Sequence, residues 1–413
     1  MISFADARRH VVDRCVPLTP RQVSLDDAAG TVLAHDVAAP EAVPPFANSG
    51  MDGYAVRSVD VAEATEEHPV RLRVAGTIAA GEPPHTEVVP GAAVRIMTGA
   101  PIPAGADAVV MVERSRRVGD HQVDLTQAVP AGLHVREAGG DIAAGSIVLS
   151  AGTFLRPAHL GVLASVNVRQ PTVVPRPLVG VLSTGDELVD DGGPLAPGQI
   201  RESNRPTLVA ACRAYGFDAV DLGSVPDDRH AIAEAITGAA ASCDAVVSSG
   251  GVSMGDFDLV KVVLDDLADM TWMQVAIRPA KPFAFGVIAA DDGDRSVPVF
   301  GLPGNPVSSL VSLSLLGVPG LRTMAGRTGS DLDLPSVIAI ATARLDGRSD
   351  GRTAFVRVRA SWDEGGVVAE PVSAQGSHQL AATSSANALA VLPDGDGVHA
   401  GDPVMLVLLH EPF

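Results

Sequence analysis

Aromatic side chains make up only 3% of this 413-residue sequence, although 46% of it is apolar. Its cores must therefore be built from Ala, Val and Leu. Cysteine is nearly absent. Cys15, Cys212 and Cys243 lie far apart with no C-x-x-C pair, which excludes a disulfide scaffold and suits a reducing compartment. No apolar run approaches the roughly 20 residues of a membrane span. The opening stretch, MISFADARRHVVDRC, is amphipathic and charged, unlike a signal peptide. The eleven histidines show no H-E-x-x-H or other zinc spacing. Basic residues are outnumbered 30 to 49, giving a net charge of −19. That charge disfavours nucleic acid and anionic membranes as partners, and any anionic substrate then needs a local cationic pocket. The expectation is a cytoplasmic protein of two to four domains. Its 42 glycines and 31 prolines imply many turns and several β-rich parts.

In chain order, residues 3–14 predict a helix with Phe4, Ala7, Val11 and Val12 on one face. A short helix over Leu25–Ala29 stops at Gly30. The run PEAVPPFANSGMDGYAV then breaks all periodicity. From Val70 to Val129 short runs such as RLRVAGTI, HTEVVP, AVRIMT and DAVVMVE predict strands. Pro157 starts a helix reaching about Ser165. The β block therefore looks inserted into a discontinuous first domain, residues 1–45 and 142–175, with the insertion at 46–141. Residues 176–328 alternate β and α, which predicts a doubly wound, mostly parallel sheet. Residues 329–413 return to short strands with D-G turns, a small barrel or sandwich.

In the α/β part the loops after the strands are LSTGDEL, GSVPDD, SSGGVSMGD, RPAKP and GLPGNPVS. Open α/β sheets bind ligands at the carboxyl ends of their strands. The stretch CDAVVSSGGVSMGDFDLVK reads as a strand, a glycine-rich loop and a helix with Leu259, Val263 and Leu267 on one face. Such a junction suits an anion. Asp256 stands at the N-cap and Asp258 in the first turn, so a cation must mediate, which argues for Mg²⁺. The stretch fits neither a Rossmann fingerprint nor a P-loop, and alone it reads equally well as a tightly packed βα turn. Asp227 or Asp228 caps the helix RHAIAEAITGAA, and Asn305 with Pro306 caps the helix after GLPGNP. Lys281, with Arg278 beside it, and the hydroxyl of Ser308 are the candidates for holding a compact dianion.

Taken together, PPFANSGMDGYAV, RIMTGAPIPAGAD, VLSTGDEL, QIRESN, SSGGVSMGDFDLVK, KPFAFG, GLPGNPVSSLVS and QGSHQLAATSSANALAVLP resemble the molybdopterin molybdenumtransferase family, which includes the C-terminal domain of gephyrin. The match is collinear over almost the whole chain. The resemblance implies a four-domain chain: a discontinuous helical/linker domain, an inserted β-rich domain, a central α/β domain and a C-terminal small β-barrel. It implies a homodimer with a cleft between chains. It also implies a reaction that takes adenylylated molybdopterin and molybdate with Mg²⁺ and releases AMP. Molybdopterin adenylyltransferase and molybdoenzymes would be the exchanging partners.

By that resemblance Asp52, Thr98, Asp141, Glu187, Asp258 and Lys281 are the catalytic candidates. Substrate would be held by Ser183, Thr184, Gly185 and Asp186, by Gly250, Gly251, Ser253 and Asp256, and by Arg278 and Pro282. Gly304, Asn305, Pro306 and Ser308 add to that set, as do Arg357 and Ser377. Asp227, Asp258 and Glu187 would place the metal. The chain departs from the family at Arg278-Pro279-Ala280-Lys281-Pro282, where K-P-G-K-P is usual, at Gly140, where an acid is common, and at Gln274, which is often lysine. Two other readings remain: a non-catalytic scaffold of the same fold, and a molybdopterin adenylyltransferase, which resembles only the α/β part.

Overall fold

The structure, a computed structural model, describes residues 1–251, 259–289 and 295–409. It divides into two compact units. Met1–Gln22, Gly30–Ala34 and Thr172–Phe413 form the first, and Val23–Ala29 with His35–Pro171 the second.

The first unit opens with α1 (Phe4–Arg14). Ser3 caps it by accepting from the Asp6 amide, and Ala7 and Val11 are buried as the apolar face predicts. There follow β1 (Leu178–Thr184), α2 (Asn204–Ala214), β2 (Asp218–Val225), α3 (Arg229–Ser242), β3 (Ala245–Ser249) and α4 (Leu259–Leu267). Then come β4 (Asp269–Gln274), β5 (Pro282–Ala289), β6 (Ser296–Leu302) and α5 (Pro306–Met324). The strand order is β2-β1-β3-β6-β5-β4. The first four strands are parallel, and β5 runs antiparallel to both its neighbours. Alternate residues of β1 and β3 feed two cores. Val179, Val181, Ala245 and Val247 pack with α1, α2 and α5, while Leu182 and Val246 pack with Ile232 and Ile236 of α3 and Val263 of α4. Burial on both faces explains why these strands read as continuous apolar runs.

By length and composition α5 is the one helix among the described residues that could span a bilayer, yet 89% of it is buried inside the protein. It is a core helix, with Leu313–Gly317 in π geometry. Three short strands, Arg21–Gln22, Thr172–Val174 and Val32–Leu33, make a small antiparallel sheet in the same unit.

The C-terminal strands are β7 (Ser336–Ala341), β8 (Thr353–Asp363), β9 (Gly366–Pro371), β10 (Ala388–Leu392) and β11 (Pro403–Leu408). Their order, β8-β9-β7-β11-β10, closes through a β10–β8 ladder. This is a five-stranded barrel. Its interior holds Ala339, Ala341, Ala360, Ala388 and Ala390 among larger residues, which is how so small a barrel fills with few aromatics.

The second unit is built on a six-stranded sheet whose longest strands are Val70–Ile78 and Ala92–Ile96. One expected strand is corrected: HTEVVP forms none. Val88 is buried there and bonds Ala104, but no ladder extends from it.

Candidate active site

Topology places all five glycine- and proline-rich loops on one edge. β1, β2, β3 and β6 are parallel and end at Thr184, Val225, Ser249 and Leu302. The hairpin between β4 and β5 turns at the same edge, because Gln274 pairs with Pro282 while Ala284 pairs with Gly301 of β6. Strands lie about 4.8 Å apart, so this edge is on the order of 20 Å long. Its two ends differ in charge.

At the acidic end, Asp228 caps α3 by accepting from the His230 and Ala231 amides. That leaves Asp227 clear of the helix. Its amide donates to Asp186 Oδ1 at 3.0 Å, tying the loops after β1 and β2 together. Asp186, Glu187 and Asp227 are all exposed. Among the described residues no three His, Cys, Asp or Glu groups converge on a metal position. Asp258, the third expected ligand, lies outside the described residues, as do Asp256 and Ser253. Thr184 is buried, and Ser183 turns its hydroxyl away to Ser224 Oγ at 3.0 Å.

In the middle, two consecutive glycines carry the loop after β3. Gly250 (φ +98°) and Gly251 (φ +71°) are left-handed, and a Cβ on Gly251 would fall 2.3 Å from Val260 of α4. Only glycine fits there. The Gly250 amide donates to Leu302 O at 3.1 Å, so this N–H is spent on the fold. Asn204 was not singled out by the sequence. Its Nδ2 donates to Ser249 Oγ and to Gly304 O, both at 2.7 Å, stitching the loops after β3 and β6. The sequence signals for it are its place at the end of QIRESN and at the start of a helix.

At the basic end a cavity of about 760 Å³ opens between the β4–β5 hairpin, the start of α5 and the barrel. It brings together the expected Arg278, Lys281, Pro282, Asn305, Ser308 and Ser377. It also brings Arg344, Arg348 and Arg352, which the sequence did not single out. Arg348 lies in, and Arg344 and Arg352 lie on either side of, a strand, Leu345–Arg348, that pairs with Gly395–Val398 in a two-stranded antiparallel ribbon. Five cations thus face one cavity, against Asp346; two of them, Arg278 and Arg352, pair with Asp350 just outside that lining. Burial, with Arg348 nearby, pushes Arg278 below the usual arginine range.

Asn305 occupies the N-cap of α5 with Pro306 behind it, but its side chain makes no capping bond. Ser308 is buried, and the neighbouring Val307 amide donates to Ser377 O at 3.1 Å. Ala280, where the family has glycine, is buried with φ +76°. The glycine conformation is kept without the glycine.

Arg357 is a correction. It was expected to help hold substrate, and the structure gives its guanidinium another task. It is 2% exposed. Its Nη1 donates to Gln379 O at 2.9 Å and Thr383 Oγ1 at 2.7 Å, and its Nη2 to Ala374 O at 2.8 Å and Gly376 O at 3.1 Å. The guanidinium organises the loop that carries Ser377 and spends four of its five N–H donors on it.

In the second unit Asp52 and Thr98 meet. The Thr98 amide and hydroxyl both donate to Asp52 Oδ1 at 2.7 Å, and these bonds hold the carboxyl below its ordinary range. Asp141 is exposed and takes no part in that contact.

Three family models cover most of the chain. The MoeA N-terminal region (domain I and II) matches residues 2–167, the "Probable molybdopterin binding domain" matches 180–323, and the MoeA C-terminal region (domain IV) matches 341–409. Molybdopterin molybdenumtransferase of Haemophilus influenzae is 36% identical, over 100% of this chain and 99% of that one. The chain belongs to the molybdopterin molybdenumtransferase family. A second relative, molybdopterin molybdenumtransferase 2 of Mycobacterium tuberculosis, is 38% identical over 95% of this chain and 96% of its own length. Among solved structures, the molybdopterin biosynthesis MoeA protein of Pyrococcus horikoshii superposes with a TM-score of 0.81 at 32% identity, covering 99% of both chains. The family places the chain in molybdenum cofactor biosynthesis.

Proposed function

We propose that this chain transfers molybdenum from molybdate to adenylylated molybdopterin and releases AMP. The observation that carries this is the cavity of five cations at the strand edge of a chain with 19 excess negative charges. A helix N-terminus contributes about 0.3–1 kcal/mol at an exposed site, whereas micromolar binding needs roughly 8 kcal/mol. Side-chain cations must supply the difference, and here they converge. Lys281, one of two lysines in the sequence, is exposed and holds the molybdate dianion with Arg352, while the Ser308 and Ser377 hydroxyls donate to it.

The long edge suits a substrate with a nucleotide at one end and a dithiolene at the other. The nucleotide phosphates lie towards Gly251 and the acidic end, the dithiolene towards the cavity. Glu187 and Asp227, with Asp258, offer the hard carboxylate oxygens that suit Mg²⁺. Bound there, the ion would neutralise phosphate charge as AMP leaves. Asp52, Thr98 and Asp141 complete the site from a second copy in a homodimer.

The test is steady-state kinetics of Lys281→Ala. The molybdate concentration for half-maximal rate should rise about tenfold or more, and that for adenylylated molybdopterin should change little. Unchanged molybdate dependence with lost nucleotide binding would place the oxyanion elsewhere.

A further inference from the structure

One carboxylate already holds two of the arginines that line the cavity. Asp350 Oδ2 accepts from Arg352 Nη2 at 2.5 Å and lies 3.5 Å from Arg278 Nη1. Two buried polar atoms at this point have no hydrogen-bond partner, Arg278 Nη1 and Asp350 Oδ1. A buried guanidinium N–H normally finds an acceptor, so this contact is an incomplete one. Asp350 neutralises the arginine pair without saturating it. Its backbone is fixed independently, because the Asp350 and Gly351 amides both donate to Asp394 Oδ1 at 2.8 Å. The side chain can therefore leave the arginines without unravelling the loop. Asp346, the acid that lines the cavity, differs. It pairs with Arg344 at 3.0 Å, and its side chain is 86% exposed.

We infer that Asp350 is the cavity's own counter-ion, which an incoming tetrahedral oxyanion must displace from Arg278 and Arg352. This rests on the oxyanion reading proposed above and adds the residue that sets its affinity and selectivity. While Asp350 occupies the pair, the site is open to a ligand only in the fraction of molecules where the carboxylate has swung away. The apparent dissociation constant is raised by the inverse of that fraction. A dianion with four acceptor oxygens replaces one carboxylate oxygen and satisfies the unbonded Arg278 donor. Monoanions such as chloride cannot offer that exchange. The aspartate thus trades affinity for discrimination.

Equilibrium dialysis of the full chain against molybdate at low salt tests this with four variants. Asp350→Asn and Asp350→Ser should each bind molybdate about tenfold more tightly than wild type, as expected if the carboxylate holds the pair about nine-tenths of the time. Glu364→Gln, on the exposed turn between β8 and β9 and outside the cavity lining, changes net charge equally and should stay within about twofold. Lys281→Ala should bind more weakly. Circular dichroism melting of each variant confirms that it is folded. If both Asp350 variants bind no better than wild type while Lys281→Ala still weakens binding, the counter-ion inference is overturned and the cavity remains the oxyanion site. If Lys281→Ala binds like wild type, the cavity reading fails and the inference fails with it.

Discussion

The amide of Val307, in the first turn of α5, donates to the carbonyl of Ser377 across 3.1 Å. A helix start is thereby closed by a loop of the barrel and not by its own N-cap side chain. That loop is in turn wound around the buried Arg357 guanidinium.

It follows that Arg357 acts through the loop. Arg357→Ala strands several buried acceptors at once and should cost about 3 kcal/mol of stability, read by urea denaturation. Arg357→Lys should recover little of it, because a lysine cannot reproduce the planar donor fork. Full stability in either variant, with only molybdate binding lost, would return Arg357 to direct contact with the ligand.

Ala280 supplies a second prediction. Removing its Cβ relieves a left-handed conformation worth about 1–2 kcal/mol. Against that stand about 0.5–1 kcal/mol of added chain entropy and about 0.8 kcal/mol for the buried methyl. Ala280→Gly should therefore lie within about 1 kcal/mol of wild type in chemical denaturation. Ala245→Gly, in the middle of the sheet with no strain to relieve, should cost more. Equal losses at the two positions would show that the +76° backbone angle carries no strain.

The Arg205–Asp221 pair gives a pH dependence. Arg205 is 8% exposed and bonds both Asp190 and Asp221, locking α2 to the sheet. The Arg205 hydrogen bond holds the Asp221 carboxyl below its ordinary value of 3.8. A carboxylate lowered on folding stabilises the protein above its unfolded pKa and loses that contribution as pH falls through the folded one. Asp221→Asn should cost about 1 kcal/mol at pH 7, since the aspartate is half exposed. The gap to wild type should close below pH 3.8. A gap that persists into acid would mean that the loss is one of packing.

For the shared site, Asp52→Ala and Lys281→Ala copies are mixed after separate purification. If a homodimer draws Asp52 from one chain and Lys281 from the other, random exchange gives half mixed dimers with one intact site each. About a quarter of wild-type activity should then return. No recovery, with exchange verified by mass, would show that both residues serve one chain's own site.

The strand-edge loops were legible because local chemistry dictates them. Alternating apolar strands and capped helices fix a doubly wound sheet, and its carboxyl edge then follows. Asp228 over Asp227 as the cap needed coordinates, because both residues suit that role. Arg344, Arg348 and Arg352 were not legible. The strand they sit beside pairs with Gly395–Val398, some 50 residues further on, so only the folded chain turns them into one cavity. Arg357 misled for a related reason. Between Val356 and Val358 it occupies an outward strand position, and nothing local announces that residues 374–383 fold over that face.

The small sheet of Val32–Leu33 and Thr172–Val174 bears on how the chain could have been assembled. Ala34 donates its amide to Thr172 O at 3.0 Å, so residues 35–171 leave and re-enter the first unit at adjacent points. In polymer terms they are one overgrown hairpin loop. Loop-closure entropy rises only with the logarithm of length, so enlarging a four-residue turn to this size costs about 3 kcal/mol. A segment with a core of its own repays that easily. The junction is thus a site where a ready-folded cassette can be spliced in or cut out, with the three-stranded seam as its scar. Only Val23–Ala29, which belongs to the cassette but lies between two strands of the seam, would be left behind by such a cut.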